Sequence, residues 1–535
     1  KYWRMVTRGM DSVWWWRWEC IGKFHGWLAP DFRPYPAVKE ILEDTKVVRE
    51  GLGDLLIRSQ MQDDGIAILY SYPSTFAHKL DEGTAYGEYE KAHTAWHKAI
   101  RDLGLQFTYV TDRMLRLGEF NMKRFRILVL PRTEAIGEKE AEVIRTFVEK
   151  GGLVIADTRP GIYDDHCKKR EAGVLDSLFG VHRTWYLKPK TISTDKKVNV
   201  ILDPGIVASD GSALSQIGGT PVFVLHRVGK GHTLLINGNL DLLNLMAANI
   251  FERFGSKAAI ADDPLGAILQ DLAGINAKIA LKRENGSTMR DVEVIRWKNG
   301  ENEIFALFRQ GGRAELAKVE LKKVGYVYDL RSRKFLGRVK QFRTDIIPNR
   351  ASFFIVSLRP APTVQVKIGA QKAAVATKSK DSKQLSCARG TVVKVWLSAP
   401  RAKGNHAVLV TARFPKPSAV PPRFGAFFPR SGYPVVPVAF PIALQKAQVD
   451  RGGAQGGGMG DQVSKAGAVS NLSLPIVYPG VNPEKGEFLK RAVIIGRKPV
   501  TVDLPIAFND PTGNYKIIVT DLFTQKSVIK NLTVQ

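Results

Sequence analysis

The sequence predicts a multidomain chain in which a parallel α/β part is followed by an all-β part. Between residues 61 and 258, short apolar runs alternate with helical segments, which is typical of a parallel sheet with helices on both faces. After about residue 260 the helical period fades, and short alternating runs predict β-sandwich domains of the Ig-like kind. The order helix, buried strand, long loop, helix in residues 1–60 is typical of the end of a TIM barrel.

The charge balance of the chain is strongly basic. Its 535 residues allow roughly three to five domains of ordinary size. The 79 lysines and arginines exceed the 52 aspartates and glutamates, so the formal net charge is +27. Such a charge fits either an anionic partner, an acidic polysaccharide among them, or a basic surface without a specific partner. Because the basic residues are spread over the whole length, we favour the second interpretation and expect no nucleic acid partner.

Cysteine spacing and hydropathy argue against a disulfide-rich protein, a cysteine metal site and a membrane-spanning protein. They do not decide the cellular compartment. Cys20, Cys167 and Cys387 lie far apart and form neither a metal-spaced pair nor a disulfide framework. No apolar run reaches about 18 residues, so we expect no membrane span. The chain starts at Lys1 inside an already folded pattern, and we therefore expect a fragment or a processed product, with secreted and periplasmic locations both open.

The barrel end is predicted from the first 60 residues. Tyr2 to Gly9 have the pattern of a helix end, with Gly9 as its stop. The aromatic run from Asp11 to Trp18 is typical of a buried strand, and a helix is predicted from about Ala37 to Arg58.

The α/β domain, residues 61–258, is predicted from alternating strand and helix patterns. Helices are predicted at Glu88 to Leu103 and at Glu138 to Lys150, the second with one apolar face. The predicted strands are Gly65 to Tyr70, Gln106 to Val110, Arg126 to Leu130, Leu153 to Ala156 and the run that ends at Ile236, with the first and last predicted to be buried.

Two β domains are predicted in the rest of the chain, over 259–362 and 363–535. Strand patterns occur at Val292 to Arg296, Ile304 to Phe308 and Ser352 to Val356. Residues 450–467 are rich in glycine and predict a flexible loop.

The order of these parts resembles glycoside hydrolase family 42, the family of β-galactosidases. The residues that carry the resemblance are Gly9 to Trp18 with Lys23 to His25, Phe125 to Pro131, Phe147 to Ile155 and the turn Gly229-Lys-Gly231. The stretch Val327 to Gly337 also resembles the small β domain appended to many glycosidases. The resemblance covers about the first 250 residues. It implies a barrel end, a trimerisation domain with a flavodoxin or class I glutamine-amidotransferase-like fold, and appended β domains.

The resemblance implies that the catalytic carboxyls lie outside this chain. Retaining glycosidases use two carboxyl groups about 5–5.5 Å apart, and in a barrel they stand at the carboxyl ends of strands. In this family they stand on the fourth and seventh strands, and the chain begins after the seventh. We therefore expect no catalytic residue here, and no cofactor or metal.

The end of the last barrel strand and its loop are predicted to bind sugar. Aromatic rings cover the apolar face of a pyranose, and polar groups bond its hydroxyls. Trp16, Trp18, Glu19 and His25 are the candidates. The family has a Glu-x-x-His pair in this loop, but here Gly22 stands three residues before His25, so either Glu19 substitutes from a rearranged loop or galactose recognition is lost. The alternative is that the tryptophans are barrel core.

The α/β domain lacks the residues of a working amidotransferase. Such an enzyme needs a nucleophilic cysteine at a strand-to-helix turn with a histidine partner. Arg132-Thr-Glu follows the central strand instead, and Cys167 lies in a charged loop. The consecutive Asp164, Asp165, His166 and Cys167 are poorly spaced for one metal ion, and His93 and His97 lack the glutamate of a metalloprotease helix.

Two functional hypotheses remain. The first is the C-terminal portion of a retaining glycoside hydrolase with a carbohydrate substrate, assembled as a homo-oligomer, a trimer by resemblance. The second is a non-catalytic protein that oligomerises or binds carbohydrate or a cell surface.

Overall fold

The structure, a computed structural model, describes residues 2–13, 26–28, 34–82, 87–184, 190–193, 199–239, 264–370, 385–415 and 485–535. It divides into two compact units, the first with residues 1–33 and 56–360 and the second with residues 34–55 and 361–535. Most of the predicted barrel strand and the predicted glycine-rich loop at 450–467 lie outside the described residues.

The helices of the described residues lie mainly in the first half of the chain. They are α1 Tyr2–Thr7, α2 Pro36–Asp44, α3 Gly53–Ile57, α4 Tyr72–Glu82, α5 Gly87–Asp102, α6 Asp112–Arg116, α7 Glu138–Glu149 and α8 Pro264–Ala273, with a π-helical turn at Val48–Leu52. None of these helices is long and apolar enough to cross a membrane.

The strands run from residue 60 to the end of the chain. Those of the first unit are β1 Gln60–Met61, β2 Ile66–Tyr70, β3 Phe107–Thr111, β4 Ile127–Leu130, β5 Leu153–Asp157, β6 Val181–Arg183, β7 Lys190–Ser193, β8 Asn199–Leu202, β9 Ile206–Ala208, β10 Ser212–Ile217, β11 Thr220–Val228, β12 Gly231–Ile236, β13 Ile279–Lys282, β14 Glu293–Asn299, β15 Asn302–Phe308, β16 Glu315–Asp329, β17 Lys334–Ile346 and β18 Ser352–Ser357. Those of the second unit are β19 Gln365–Ala370, β20 Leu385–Cys387, β21 Val392–Ser398, β22 His406–Arg413, β23 Glu487–Ile495, β24 Val500–Pro505, β25 Gly513–Asp521 and β26 Ser527–Val534.

The α/β part of the first unit is built on one seven-stranded sheet, in the order β10-β11-β12-β5-β4-β2-β3. The five strands from β12 to β3 are parallel, and β10 and β11 extend the sheet in antiparallel fashion. Successive residues of a strand face opposite sides, and here both sides are buried, which explains the continuous apolar runs. Ile66, Ile68 and Val129 belong to the cluster on one face, and Leu69 and Leu130 belong to the cluster on the other.

Helices cover both faces of this sheet, as predicted. Trp96 of α5 and Ile268 of α8 pack into the first cluster. Ile144 and Phe147 of α7 pack into the second. The parallel strands therefore end at one edge of a rigid layer, and loops at that edge are held in fixed positions.

A second, antiparallel sheet completes the first unit. Its order is β1-β14-β15-β18-β16-β13, with β17 paired to β16. A hydrophobic cluster that includes Phe305, Val319 and Phe354 lies on it. The three predicted strands are present as β14, which begins at residue 293, and as β15 and β18, as their alternation predicts.

The second unit has two sheets that share one hydrophobic cluster. The sheets are β19-β21-β24 and β20-β26-β25-β22-β23. Val393 and Val395 of the first sheet and Val408 and Val410 of the second are all fully buried in that cluster.

The helix predicted from Ala37 to Arg58 is wrong as a single element. The α2 helix stops at Asp44, and a π-helical turn separates it from α3. Within that turn Gly51 has a φ of 126°, which an L side chain rarely adopts, so the helical path breaks there. Glu50 beside it forms an ion pair with Lys490 at 2.6 Å.

Candidate functional site

Polar side chains gather at the carboxyl edge of the parallel sheet, where sites form in α/β folds. Ser71 follows β2, Arg132 and Glu134 follow β4, and Asp157 ends β5. All four are buried. Arg132, Thr158 and Arg159 have positive φ values of 35°, 27° and 54°, and strained backbone of this kind often accompanies function.

Two serines at this edge are fully engaged with the backbone. The Ser71 and Ser74 hydroxyls lie 2.9 Å apart, and each donates to the Ala135 carbonyl, at 3.1 and 3.2 Å. The Ala135 N–H donates to the Ser74 hydroxyl at 3.0 Å. The nearby His78 ring nitrogen Nε2 lies 3.3 Å from the Arg132 carbonyl. The two serines thus connect α4 to the loop after β4 through hydrogen bonds. Because His78 contacts the Arg132 carbonyl and not a serine hydroxyl, these residues do not form the serine–histidine pair of a hydrolase.

Buried charges at the same edge are paired with each other. Glu134 is fully buried, and its two carboxylate oxygens accept from Arg132 at 3.3 Å and from Arg159 at 3.1 Å. Asp157 accepts from the Arg132 N–H and, at 2.8 Å, from the Trp96 indole N–H. Burial raises the pKa of Asp157 to about 6, although these hydrogen bonds oppose the shift. The edge is an internal polar network, which holds the loops in place.

Cys167 is not poised as a nucleophile. Its thiol donates to the Pro73 carbonyl at 3.3 Å, and burial raises its pKa, so the reactive thiolate is disfavoured. Asp164 accepts from the N–H groups of His166 and Lys168, at 2.9 and 2.8 Å, and so closes its own turn. In the described part of the chain, no three His, Cys, Asp or Glu side chains are grouped to hold a metal ion.

His93 and His97 lie one helical turn apart on α5 but in different surroundings. His93 is buried among Tyr70, Tyr89 and Tyr109, and neither of its ring nitrogens has a hydrogen-bond partner in the described residues. His97 lies 3.3 Å from an Arg8 nitrogen. Burial lowers the pKa of each ring to about 4, so both are neutral at pH 7.

A cavity of about 160 Å³ opens near the amino ends of β2 and β3. Its charged lining residues are paired: Arg124 with Asp63, and Arg101 with Glu293. Each of these four charged groups therefore has an ion-pair partner, and within the described residues the Arg101 Nε atom is the one buried nitrogen among them without a hydrogen-bond partner.

The four predicted sugar-binding residues, Trp16, Trp18, Glu19 and His25, lie outside the described residues. Helix α4, which carries the serine network, is absent from the elements predicted from the sequence. Two signals for it are present: Ser71 at the cap position before Tyr72-Pro73, and apolar residues spaced by four at Tyr72, Phe76 and Leu80.

Comparison with known proteins identifies the α/β part. Residues 64–237 match the family model described as the beta-galactosidase trimerisation domain. No curated protein matches the chain by sequence.

Solved structures show a similar fold. The β-galactosidase from Bacillus circulans sp. alkalophilus has a TM-score of 0.50 at 15% identity, over 66% of this chain and 51% of its own. A catalytic mutant of Gan42B, a GH42 β-galactosidase from G. stearothermophilus, has a TM-score of 0.50 at 17% identity, over 66% of this chain and 50% of its own. The chain spans about half the length of the structures that it matches. The predicted resemblance is confirmed for the α/β part: residues 64–237 match the beta-galactosidase trimerisation domain, in a chain that combines α/β and β-rich parts.

Proposed function

We propose that the chain is the C-terminal portion of a retaining glycoside hydrolase of β-galactosidase type, and that its α/β part holds copies of the enzyme together. The match of residues 64–237 to a trimerisation domain carries this proposal. The solved structures with a similar fold are described as β-galactosidases, which agrees with it. Carbohydrate, acidic or neutral, is the proposed substrate class.

Hydrolysis is assigned to two carboxyl groups that precede this chain in the complete protein. A mechanism that retains the configuration of the sugar requires these carboxyl groups to lie about 5–5.5 Å apart. One of them acts as the general acid and base, and the other acts as the nucleophile. The contribution of this chain to the sugar site is proposed to be Trp16, Trp18, Glu19 and His25, which would stack on the ring and bond its hydroxyls.

The α/β part is proposed to be an assembly domain of flavodoxin or class I amidotransferase type. The five parallel strands are ordered second, first, third, fourth and last in the chain, which is the flavodoxin order. The paired charges and bonded serines at the carboxyl edge support a structural role.

The β-rich parts are proposed to be Ig-like sandwiches over 259–362 and 363–535, after a barrel end at 1–60 and an α/β domain at 61–258. The shared cluster between two sheets of the second unit supports a sandwich there. Because helix α8, at residues 264–273, packs with the α/β cluster, we move the boundary between the α/β domain and the first β domain from residue 258 to the end of α8.

The proposal is tested by assaying two products on nitrophenyl glycosides: this chain alone, and the product of the complete reading frame. We expect no turnover from the chain alone. The complete product should be active on the β-galactoside, and replacing either of two strand-end glutamates by glutamine should reduce its kcat by at least about 1,000-fold.

A complete product without a glutamate pair, or without turnover on any glycoside, would overturn the hydrolase proposal. The chain would then be a non-catalytic protein that oligomerises or binds carbohydrate.

A further inference from the structure

Helix α4 presents an apolar stripe to solvent. Tyr72, Phe76 and Leu80 are spaced by four residues, so they lie on one side of the helix. They are 61%, 56% and 74% exposed. The opposite side of the helix is buried, with Ala77 and His78 facing inward. Large apolar side chains in such a row mark a surface that binds a partner.

The stripe continues across the sheet as a row of aromatic rings. The ring centroid of Tyr72 lies 5.7 Å from that of Tyr70, which lies 5.5 Å from that of His93. The His93 ring in turn stacks 6.1 Å from Tyr109, which is 42% exposed. We call the exposed surface formed by Tyr72, Phe76, Leu80 and Tyr109 the α4 face.

The α4 face is held rigidly from behind. The Ser71 hydroxyl accepts from the Ser74 N–H at 3.2 Å and so caps the first turn of α4. The Asp112 carboxylate accepts from the Tyr72 N–H at 3.2 Å. Both serines are tied to the loop after β4. A surface that is already ordered loses little conformational entropy when it binds, which favours association.

We propose that copies of this chain associate through the α4 face. The inference rests on the proposed assembly function, because the face lies within the trimerisation domain at residues 64–237. Aromatic residues are enriched in the centres of protein interfaces. Each copy carries a net charge of +27, so association is opposed least where a surface carries few charged side chains. The four side chains of the α4 face are uncharged, and Lys79 is an exposed charge of the same helix beside Leu80.

A ring of three copies is built from head-to-tail contacts, in which one surface meets a different surface of the next copy. One substitution on the α4 face therefore alters all three contacts. Leu80→Glu places a carboxylate in each contact, and its high exposure leaves the fold of the single chain intact.

The test is the mass of the purified 535-residue chain, measured by light scattering and sedimentation over a range of concentrations. We expect the wild-type chain to be a trimer and Leu80→Glu to raise the midpoint concentration of assembly by about 30-fold or more. Phe76→Glu is a second variant with the same expected result. The matched control is Leu358→Glu, since Leu358 directly follows β18 in the β-rich part and is 67% exposed. This variant should assemble like the wild-type chain.

Three outcomes separate the two proposals. A wild-type chain that stays monomeric overturns the assembly function and leaves the α4 face to another occupant, such as a preceding barrel or an unrelated protein. Wild-type trimers with trimeric Leu80→Glu and Phe76→Glu variants overturn the α4 face alone. Trimers that dissociate in these variants but not in Leu358→Glu support the inference.

Discussion

Asp157 shows how one buried residue can make the stability of the α/β part depend on pH. Its carboxylate ends β5 and accepts the Trp96 indole N–H and the Arg132 N–H. Glu134, close by, has two arginines as ion-pair partners. Burial raises the pKa of Asp157 from 3.8 to about 6, so the folded protein favours its neutral form.

The pH dependence follows from the sign of this shift. Ionisation of Asp157 favours the unfolded protein, because the pKa of this carboxyl is lower there. Its contribution to stability is therefore fully present below about pH 4 and is lost as the pH rises through about 6. Asp157→Asn cannot ionise. We therefore expect the free energy of unfolding of the wild-type protein, relative to that of Asp157→Asn, to fall by about 1–3 kcal/mol between pH 4 and pH 7. Urea unfolding followed by tryptophan fluorescence at each pH measures this, and a difference that does not change with pH would contradict it.

Helices and strands of the α/β part that have a clear apolar period in the sequence can be predicted from it. Elements whose buried side is small and polar cannot. The strand predicted at Leu153 to Ala156 and the helix at Glu138 to Lys150 agree with β5 and α7 to within one residue. Helix α4 was not predicted, because its buried side has small and polar residues, Ser74 and Ala77, whose partners come from the loop after β4. The carboxyl-edge network could not be predicted either, since its hydrogen bonds join residues up to 64 positions apart.

The close packing of the backbone around the turn between β11 and β12 can be tested by substitution. A Cβ atom at Gly231 would lie 2.2 Å from the Val148 carbonyl oxygen and 2.3 Å from that of Gly152, both backbone atoms that cannot move aside. Gly231→Ala should therefore lower the free energy of unfolding by about 1–3 kcal/mol or more. Thermal unfolding measures this. Gly311→Ala is the control, because no atom lies within 4 Å of its added Cβ and its effect should be small. Equal melting temperatures for the two variants would refute the close approach.

At the scale of the whole molecule, the sequence predicts the order of the α/β and β-rich parts but not the long-range joins within each unit. Residues 34–55 belong to the same compact unit as residues 361–535, and Glu50 pairs with Lys490 across 440 positions. No periodic pattern encodes such a contact. The net charge, in contrast, can be predicted from the amino-acid composition alone, and it affects how copies of the chain associate.

Salt should strengthen the association of copies. Each carries +27, and this repulsion acts over a Debye length of about 30 Å at 0.01 M salt but only about 8 Å at 0.15 M. The α4 face itself brings no charged side chain to the contact, so screening weakens the repulsion between copies without weakening this face, and the dissociation constant should fall on the order of tenfold across this range. Sedimentation at several sodium chloride concentrations measures it. Salt should not restore Leu80→Glu, because the cost of desolvating a buried carboxylate is not screened. Weaker association in salt would instead indicate an interface built on ion pairs, and would argue against the α4 face.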